Sequence, residues 1–432
     1  MTAHLLSCPR RAVLVAALTA ALPLAAHAQA VVDWSLAATE TPAGGPPQRA
    51  RIEAMASLAV HDALNAIDPR YESYAVVPAA PPGASPDAAV AAAAHRVLVA
   101  TVPAASAALD TRFANFIAAL PPCPAGAPGC IADGIATGEA AAAAMLALRV
   151  NDGSATPDLP YAAPLMPGVY QPTPGPAPRF EGWQFVRPFG MRSASQFRAG
   201  DNDVMHLSST TYARDYNEVK QKGSALVRGA APASDGSDVA RFWPGGGGDF
   251  NSVTRNVFAA RVPDQWALAR LFALQQMAIA DSAIMVYDTK YHYRFWRPYT
   301  AIRWTGGDGN AATTADPDWT PFLPTPPYPD YTCGFTSASG AYFEVLRRFF
   351  GTDAVSYTYT AHAPGVVLPA PIAALPPKDI TRSFATLSQA VADTVDARVN
   401  AGIHFRSGCR LGAVHGAQVG RFDVLHYLRP LR

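Results

Sequence analysis

The sequence predicts an all-α protein, a helical bundle, and three observations support this. Apolar residues recur every three or four positions over most of the chain, which is the period of an amphipathic helix. We find no clear strand alternation, internal repeat or block of like charge. The 432 residues are 50% hydrophobic and 16% charged, which is enough apolar material for one large core or two ordinary ones.

Four helices are predicted in the first half of the chain, at residues 48–69, 87–102, 106–120 and 131–150. In the first of them Ile52, Met55 and Leu58 share one face, and the alanine content of all four favours close packing. Residues 151–201 are crowded with Pro, Gly and aromatic side chains and have neither a helical nor a strand period. They are predicted to form a long wrapping loop, and long ordered loops in compact domains are usually functional.

Helical periodicity returns in the second half of the chain, at residues 208–222, 264–296, 337–350, 379–398 and 412–428. The predicted organisation therefore has three parts. A signal peptide covers residues 1–30, an N-terminal helical region with its wrapping loop covers 31–200, and a helical bundle that carries the functional pocket covers 201–432.

The N-terminus is typical of a secretory signal. Arg10 and Arg11 precede an apolar run, and small-residue cleavage sites end at Ala28 and Ala30. We expect a secreted or periplasmic protein, exported either by an ordinary signal or by a twin-arginine signal. The apolar run is too short to cross a bilayer, so no membrane span is predicted. The 34 basic and 33 acidic residues form no charge run, which argues against a nucleic-acid partner.

Removal of the signal would leave four cysteines, and an even number in an oxidising compartment suggests disulfides. Cys123 and Cys130 bracket a short Pro- and Gly-containing loop, and we expect them to pair. Cys333 and Cys409 would then pair by elimination. A zinc site is one alternative, although no His stands at finger-like spacing from either pair. Two buried free thiols at Cys333 and Cys409 are the other alternative.

Lysine is rare in this chain, with four Lys against 30 Arg, and Lys290 lies in a segment rich in arginine and aromatic residues. Arg297 follows seven positions later, so one helix would place both side chains on one face, with Arg294 between them and Pro298 at its end. Aromatic residues surround this stripe, which indicates partial burial, and buried cations need anionic partners. The stripe predicts an anion pocket, and a solvated basic face is the alternative.

Two later segments carry related chemistry. A Pro-rich loop runs into a helix predicted to begin near Thr336, which places the Gly334 N–H group at a helix N-terminus, where anions bind. Arg398 closes another predicted helix, Gly402 permits a turn, and His404 follows six residues after the arginine. Each segment alone fits an ordinary structural role, but three such segments in succession favour a shared site.

The order Lys-x6-Arg-Pro, Pro-rich loop with a Gly turn, and Arg-x5-His resembles the vanadium-dependent haloperoxidases and type 2 phosphatidic acid phosphatases, which form one superfamily. The segments Trp296-Arg297-Pro298, Thr325-Pro-Pro-Tyr-Pro-Asp330 and Gly402-Ile-His-Phe-Arg406 are similar to the bacterial secreted haloperoxidase branch. The resemblance implies a helical bundle of that type. It implies that Lys290, Arg297 and Arg398 hold vanadate or phosphate, with help from the Gly334 N–H group. It gives His404 the axial position, as the vanadate anchor in a peroxidase or the nucleophile in a phosphatase.

The chain departs from the family pattern at three positions. Where the family has Pro-Ser-Gly-His, this sequence has Thr332-Cys333-Gly334-Phe335, so Cys333 replaces a serine that donates to the anion. Phe335 replaces the acid/base histidine, whose proton transfer is worth roughly 10²- to 10⁴-fold in rate. Gly408 stands where the phosphatase pattern has an aspartate that orients the nucleophilic histidine, so His404 is expected to lack that support.

Three functions are consistent with this sequence. They are a vanadium haloperoxidase-like protein that oxidises halide with peroxide, an acid phosphatase that acts on phosphate esters, and a catalytically silent relative that binds an anion. The cofactor is accordingly vanadate, phosphate or none, and the partner is a small anion or small-molecule substrate. Asp330 and His292 lie near the motifs and could supply a proton in place of Phe335. The long loop could cover the pocket or a partner subunit. In the second case the protein would be a homodimer.

Overall fold

The computed structural model describes residues 29–42, 44–243, 249–262 and 264–431. The predicted signal peptide lies outside these residues except for Gln29 and Ala30, which open the first helix. Within the described residues the fold is predominantly helical, with one small two-stranded sheet. This confirms the all-α prediction.

The helices of the described residues are numbered in chain order. They are α1 Gln29–Glu40, α2 Pro46–Ile67, α3 Pro86–Thr101, α4 Ser106–Ala118, α5 Cys130–Leu148, α6 Thr210–Lys222, α7 Ala225–Ala230, α8 Asp235–Phe242, α9 Phe250–Val253, α10 Gln265–Tyr293, α11 Pro298–Arg303, α12 Gly334–Phe350, α13 Leu387–Asn400 and α14 Arg406–His426. The strands β1 Tyr357–Ala363 and β2 Lys378–Phe384 pair antiparallel.

Helix α10 is the centre of the fold because it is buried on nearly every face along its 29 residues. Its N-terminus is capped by Asp264, whose side chain accepts the Ala267 N–H group. The helix packs against α2, α12 and α14. One hydrophobic cluster extends from Ala30 in α1 to Leu428 after α14, so both halves of the chain contribute to the same core.

The loop predicted at residues 151–201 contains the short 3-10 turn Glu181–Phe185 and otherwise no helix or strand among the elements described. It is held against α10 by the buried carboxylate of Asp281. This carboxylate accepts the backbone N–H groups of Phe189, Gly190 and Met191 at 2.6, 2.7 and 2.8 Å. The loop therefore wraps the central helix.

The predicted helix at residues 379–398 is wrong in its first part, because Lys378–Phe384 form strand β2 and helix α13 begins at Leu387. The expectation that strand alternation is absent is wrong for the same reason. Burial alternates along both strands, and the fully buried positions of β1 are Tyr357, Ala361 and Ala363. In β1 the alternation is mostly between Tyr and Thr, which differ little in hydrophobicity, so the sequence of the strand gives only a weak signal.

A disulfide joins Cys123 and Cys130, with an S–S distance of 2.08 Å, at the start of α5. By length and composition, α5 is the described helix that could cross a membrane on its own, and α3 with the bent segment after it forms a second candidate. Helix α5 packs against α2 and α3. Alanine-rich core helices have the same composition as such candidates, so the composition alone does not distinguish them.

Candidate functional site

Several chain segments meet near the C-terminal end of α10, and they carry the predicted site residues. Lys290 lies in the last turn of α10, Arg297 precedes α11, Cys333 precedes α12, Arg398 lies in the last turn of α13, and His404 precedes α14. Lys290, Arg297 and Cys333 are 0% exposed, His404 is 2% exposed and Arg398 is 8% exposed. The structure therefore brings these residues into one buried region.

Lys290 and Arg297 meet for a different reason from the one predicted. Helix α10 ends before Arg294, which adopts a left-handed backbone conformation with φ of 51°. Arg297 has extended backbone and is the N-cap residue of α11, and Pro298 is the first residue of that helix. The predicted continuous stripe of three cations on one helix is therefore wrong. A sharp turn between two helices brings Arg297 back to the site.

Lys290 fixes the Pro-rich loop that precedes α12. Its ammonium group donates to the backbone carbonyls of Pro329 and Asp330, both at 2.8 Å. Burial and, to a smaller extent, the positive charge of Arg297 together lower the pKa of Lys290 to about 7. The side chain thus holds the loop through two hydrogen bonds and supplies a charge that is only partly present at neutral pH.

Arg297 connects the Pro-rich loop to the turn that carries His404. Its Nε donates to the Tyr328 carbonyl at 2.7 Å, and its Nη1 donates to the Ile403 carbonyl at 2.8 Å. The same Nη1 lies 3.0 Å from Nε2 of His404. Its Nη2 is buried and has no hydrogen-bond partner among the described residues. An unpartnered guanidinium N–H in a buried site calls for an acceptor.

Asp330 provides a buried carboxylate to this site. Its Oδ1 lies 2.8 Å from Nδ1 of His404 and 3.7 Å from Nη1 of Arg297. Neither carboxylate oxygen of Asp330 has a hydrogen-bond partner among the described residues, so the approach to His404 is a close polar contact and not a formed hydrogen bond. The imidazole therefore lies between the Asp330 carboxylate and the Arg297 guanidinium group.

A cavity of about 590 Å³ opens beside the site. Gly334, Phe335, Arg398 and His404 contribute to its wall. The guanidinium carbon of Arg398 lies 5.3 Å from the centre of the Phe335 ring, within the range of a cation–π contact. The Nε of Arg398 is buried and has no hydrogen-bond partner among the described residues. A second unpartnered donor thus belongs to a residue that lines the same cavity as His404.

Helix α2 adds an acidic group to the wall of the same cavity. Glu53 is 7% exposed, and its carboxyl accepts a hydrogen bond from Nδ2 of Asn251 at 3.1 Å. Burial and, to a smaller extent, the nearby charge of Asp249 together raise the pKa of Glu53 to about 8. Sequence reasoning missed this residue. The available signal is its position beside Ile52 and Met55 in an otherwise apolar helical pattern.

Cys333 and Cys409 are free thiols in this structure, so the predicted disulfide between them is absent. Their Sγ atoms and a ring nitrogen of His404 all lie within 4.8 Å of one another. Burial alone would raise the pKa of the Cys333 thiol, but a hydrogen bond from Cys409 and the charges of His404 and Arg398 lower this pKa overall. Burial raises the pKa of Cys409. The pairing by elimination failed because a buried thiol can remain unbonded even when a second thiol is close.

Comparisons with known proteins agree with the motifs. The family described as the VCPO second helical-bundle domain matches residues 270–432. A vanadium chloroperoxidase from Curvularia inaequalis is 27% identical over 183 residues, which cover 38% of this chain and 29% of that protein. The match therefore spans less than a third of the curated relative. All of the site residues from Lys290 to Cys409 lie within the matched domain.

Residues 270–432 are thus similar in sequence to the second helical-bundle domain of the vanadium chloroperoxidases. Two solved structures show that the likeness in fold extends over nearly the whole chain. A bacterial vanadium-dependent iodoperoxidase has a TM-score of 0.68 and 23% identity, covering 93% of this chain and 96% of its own. An apo-type bacterial vanadium-dependent chloroperoxidase has a TM-score of 0.69 and 20% identity, covering 90% and 96%. At these identities the two structures establish the shared fold.

The departures from the superfamily pattern have different consequences in the structure. Phe335 stands at the cavity wall and carries no exchangeable proton. Gly408 does not leave His404 unsupported, because Asp330 reaches the imidazole from the Pro-rich loop. A Cβ atom on Gly408 would lie 3.5 Å from Oδ2 of Asp330, so a carboxylate at either position would occupy the same region. The expectation that His404 lacks an orienting carboxylate is therefore wrong.

The other proton donor considered from the sequence lies elsewhere. His292 is exposed, and its Nδ1 lies 3.2 Å from Nη1 of Arg198. Of these two candidates, the structure places Asp330 at the site.

Proposed function

We propose that this protein binds one tetrahedral oxyanion, phosphate or vanadate, beside His404. The observation that carries the proposal is the pair of unpartnered buried donors, Nη2 of Arg297 and Nε of Arg398. Buried polar groups are nearly always hydrogen-bonded, and guanidinium N–H groups suit the oxygens of phosphate-like anions. An oxyanion would satisfy both donors.

The residues present fit vanadate as well as phosphate, because both anions offer several acceptor oxygens. Arg398, which lines the cavity, and Arg297, which is buried beside His404, would donate to those oxygens, and Lys290 would add charge from behind the Pro-rich loop. The imidazole of His404 would also hold the bound anion, with the Asp330 carboxylate against its Nδ1. When bound, vanadate would supply the peroxide activation implied by the family resemblance. The vanadium named for the related proteins supports this choice of ligand.

We further propose that halide oxidation and phosphate-ester hydrolysis by this protein are slow. Both reactions use an acid/base group, and the family position for it holds Phe335. The expected deficit is roughly 10²- to 10⁴-fold in rate. Substitution Phe335→His should raise turnover in whichever of the two assays is productive. A wild-type protein as fast as the Phe335→His variant would contradict this part of the proposal.

Calorimetric titration with vanadate and with phosphate tests the binding proposal. We expect one site per chain, and we expect Arg398→Gln to weaken binding at least about 10-fold, since a hydrogen bond to a charged group is worth about 1.5–3 kcal/mol. Arg228→Gln is the matched control, because Nε of Arg228 is also buried and unpartnered but Arg228 lies outside the cavity wall. Absence of heat with millimolar anion would reject the proposal.

Export is a separate proposal that rests on the N-terminal sequence. We expect the secreted or periplasmic protein to begin at Gln29 or Val31, after the cleavage sites that end at Ala28 and Ala30. N-terminal sequencing of protein from the extracellular or periplasmic fraction tests this. Recovery of uncleaved protein from the cytoplasm alone would contradict it.

A further inference from the structure

The cavity beside the candidate site has two walls of different chemistry. One wall carries the guanidinium group of Arg398 and the imidazole of His404, which the proposed oxyanion binding uses. The other wall carries the carboxyl group of Glu53 and the side-chain amides of Asn251 and Gln276. We call these three residues the acceptor wall. Oxyanion binding gives the acceptor wall no role, although it lies in the same cavity.

The hydrogen bonds of the acceptor wall run in one direction. Nδ2 of Asn251 donates to Oε2 of Glu53 at 3.1 Å, and Nε2 of Gln276 donates to Oδ1 of Asn251 at 2.5 Å. This order leaves Oε1 of Gln276 at the end of the chain, where it has no hydrogen-bond partner among the described residues. Gln276 is 1% exposed, and a buried carbonyl oxygen without a donor calls for one. The acceptor wall therefore suits a ligand group that donates hydrogen bonds.

Two aromatic rings connect the walls of the cavity. The guanidinium carbon of Arg398 lies 5.3 Å from the centre of the Phe335 ring, and the Phe335 ring stacks on the Phe250 ring at 5.6 Å between centres. Both rings line the cavity, and Asn251 of the acceptor wall follows Phe250 in the chain. A ligand that reaches from one wall to the other passes these rings, so the middle of such a ligand is apolar.

The charges that face Glu53 leave it without a cationic partner. Asp249 acts on Glu53 with negative charge, and Arg49 and Arg255 act with positive charge. Nη2 of Arg255 already pairs with Oδ2 of Asp249 at 3.0 Å, and Arg49 is exposed to solvent. Among the described residues, Glu53 takes part in no ion pair. An ionised carboxyl group in this buried position needs a cation beside it, and a ligand ammonium group would supply one.

We propose that the cavity binds a phosphate monoester whose alkyl chain ends in a primary ammonium group. The phosphate group would be held as in the proposed oxyanion binding, on which this inference rests. The ammonium group has three N–H donors, which would serve the Glu53 carboxylate and Oε1 of Gln276. The alkyl chain would lie along Phe335 and Phe250. The ligand class is therefore an aminoalkyl phosphate, with a positive and a negative end separated by an apolar chain.

Calorimetric titrations with 6-aminohexyl phosphate, 6-hydroxyhexyl phosphate and inorganic phosphate at pH 8 test the inference. The pKa of Glu53 is about 8, so its carboxyl group is partly ionised at this pH, whereas an alkylamine keeps its proton. The two esters have the same length, and both carry a donor at the far end. We expect the amino ester to bind at least about 10-fold more tightly than the hydroxy ester, because charge-assisted hydrogen bonds are stronger than neutral ones.

Substitution Glu53→Gln keeps the size of the side chain and removes its charge. We expect it to reduce the affinity ratio of the two esters to about one, whereas Glu139→Gln, on the exposed face of α5, should keep the wild-type ratio. Thermal melts check that each variant is folded, and the wild-type ratio alone decides the matter if Glu53→Gln is not.

Two results would overturn the inference and leave the proposed oxyanion binding intact. They are equal affinities of the two esters for the wild type, and a preference for the amino ester that survives Glu53→Gln. Failure of the oxyanion proposal gives a different result, because neither inorganic phosphate nor either ester would then bind, and both proposals would be rejected together.

Discussion

The buried pocket contains side chains of both charges. Asp330 lies against His404 and Arg297, so the pocket contains a negative charge of its own. Taking charges out of water is costly unless partners compensate for it. Asp330 compensates part of the positive charge of the arginines, and a bound oxyanion would compensate the remainder.

Substitution Asp330→Asn should reduce the free energy of unfolding by about 3 kcal/mol, because it leaves buried positive charge without its partner. Added phosphate should restore more stability to this variant than to the wild type, since the anion would then face less negative charge. Urea unfolding with and without phosphate measures both effects. Asp152→Asn is the control, because Asp152 pairs with Arg51 and Arg149 away from the cavity. Equal phosphate effects in the two variants would contradict the assignment.

Glu53 makes the stability of the protein depend on pH. Its carboxyl has a pKa of about 8 in the folded chain and an ordinary pKa of 4.5. The folded state therefore holds this proton more tightly, and the resulting stability is fully present below pH 4.5 and is lost as the pH rises towards 8. Glu53→Gln should remove a slope of up to about 1.4 kcal/mol per pH unit between pH 5 and 8. Exposed Glu139→Gln is the control, and parallel curves for the Glu53 variant and wild type would contradict this reading.

The residues of the site were predictable to different degrees. The sequence alone grouped four residues of the site, because their spacing and the residues around them resemble a known family. These residues are Lys290, Arg297, Arg398 and His404. The contact of Asp330 with His404 could not be predicted, since the two residues lie in different motifs and only the folded loop brings them together. The failed pairing of Cys333 with Cys409 shows the same limit, because proximity of two thiols does not settle their bonding.

The crossing of α12 and α14 is the structural element on which the site depends most. Gly340, Gly412, Gly416 and Gly420 all allow backbone of one helix to approach the other. This approach places the residues before α12 next to those at the start of α14. The imidazole and the thiols are therefore positioned by this helix packing, whereas the anion donors Arg297 and Arg398 lie before α11 and in the last turn of α13.

Substitution Gly416→Ala should separate these helices, because its Cβ atom would collide with the Ser337 carbonyl. We expect a loss of about 1–3 kcal/mol in the free energy of unfolding, as for overpacked cores. Gly408→Ala lies on the same helix and is the matched control, since its Cβ atom would make only an ordinary contact 3.5 Å from Oδ2 of Asp330. Urea unfolding measures both variants. A stability loss in Gly408→Ala as large as that in Gly416→Ala would contradict the packing argument.

Helical elements were predictable where the apolar period extended over three turns or more, as in α2, α3, α5 and α10. Their ends differed by a few residues, as expected when caps rather than apolar positions decide the boundary. Short elements such as α8 and α11 give too few residues for a period. The β1–β2 hairpin was missed because β1 alternates Thr with Tyr in its first half and β2 has only Ile380 and Phe384 as apolar residues, so neither strand shows a strong apolar alternation.

At the scale of the whole molecule, the cavity is built from both halves of the chain. Pro47 and Glu53 of α2 line it together with Gly334, Arg398 and His404 of the C-terminal bundle. The shared hydrophobic cluster holds these two walls in place. The matched superfamily domain supplies the anion donors, and the N-terminal helices supply part of the enclosure.

Oxyanion binding should therefore stabilise the entire fold. Phosphate at 100 times its dissociation constant should raise the free energy of unfolding by about 2.7 kcal/mol, because it binds a site absent from the unfolded chain. Unfolding curves at constant ionic strength, with chloride replacing phosphate, measure this effect. Arg398→Gln should lose most of it, whereas Arg228→Gln should keep it. Equal stabilisation by chloride would contradict a specific site.

A crystal structure of the protein grown with vanadate tests the central claim most directly. We predict one oxyanion beside His404, with oxygens within hydrogen-bond distance of Nη2 of Arg297 and Nε of Arg398, and with Asp330 still against Nδ1 of the imidazole. Density for vanadate at another place, or a pocket in which both guanidinium nitrogens remain without an anion at saturating vanadate, would contradict it.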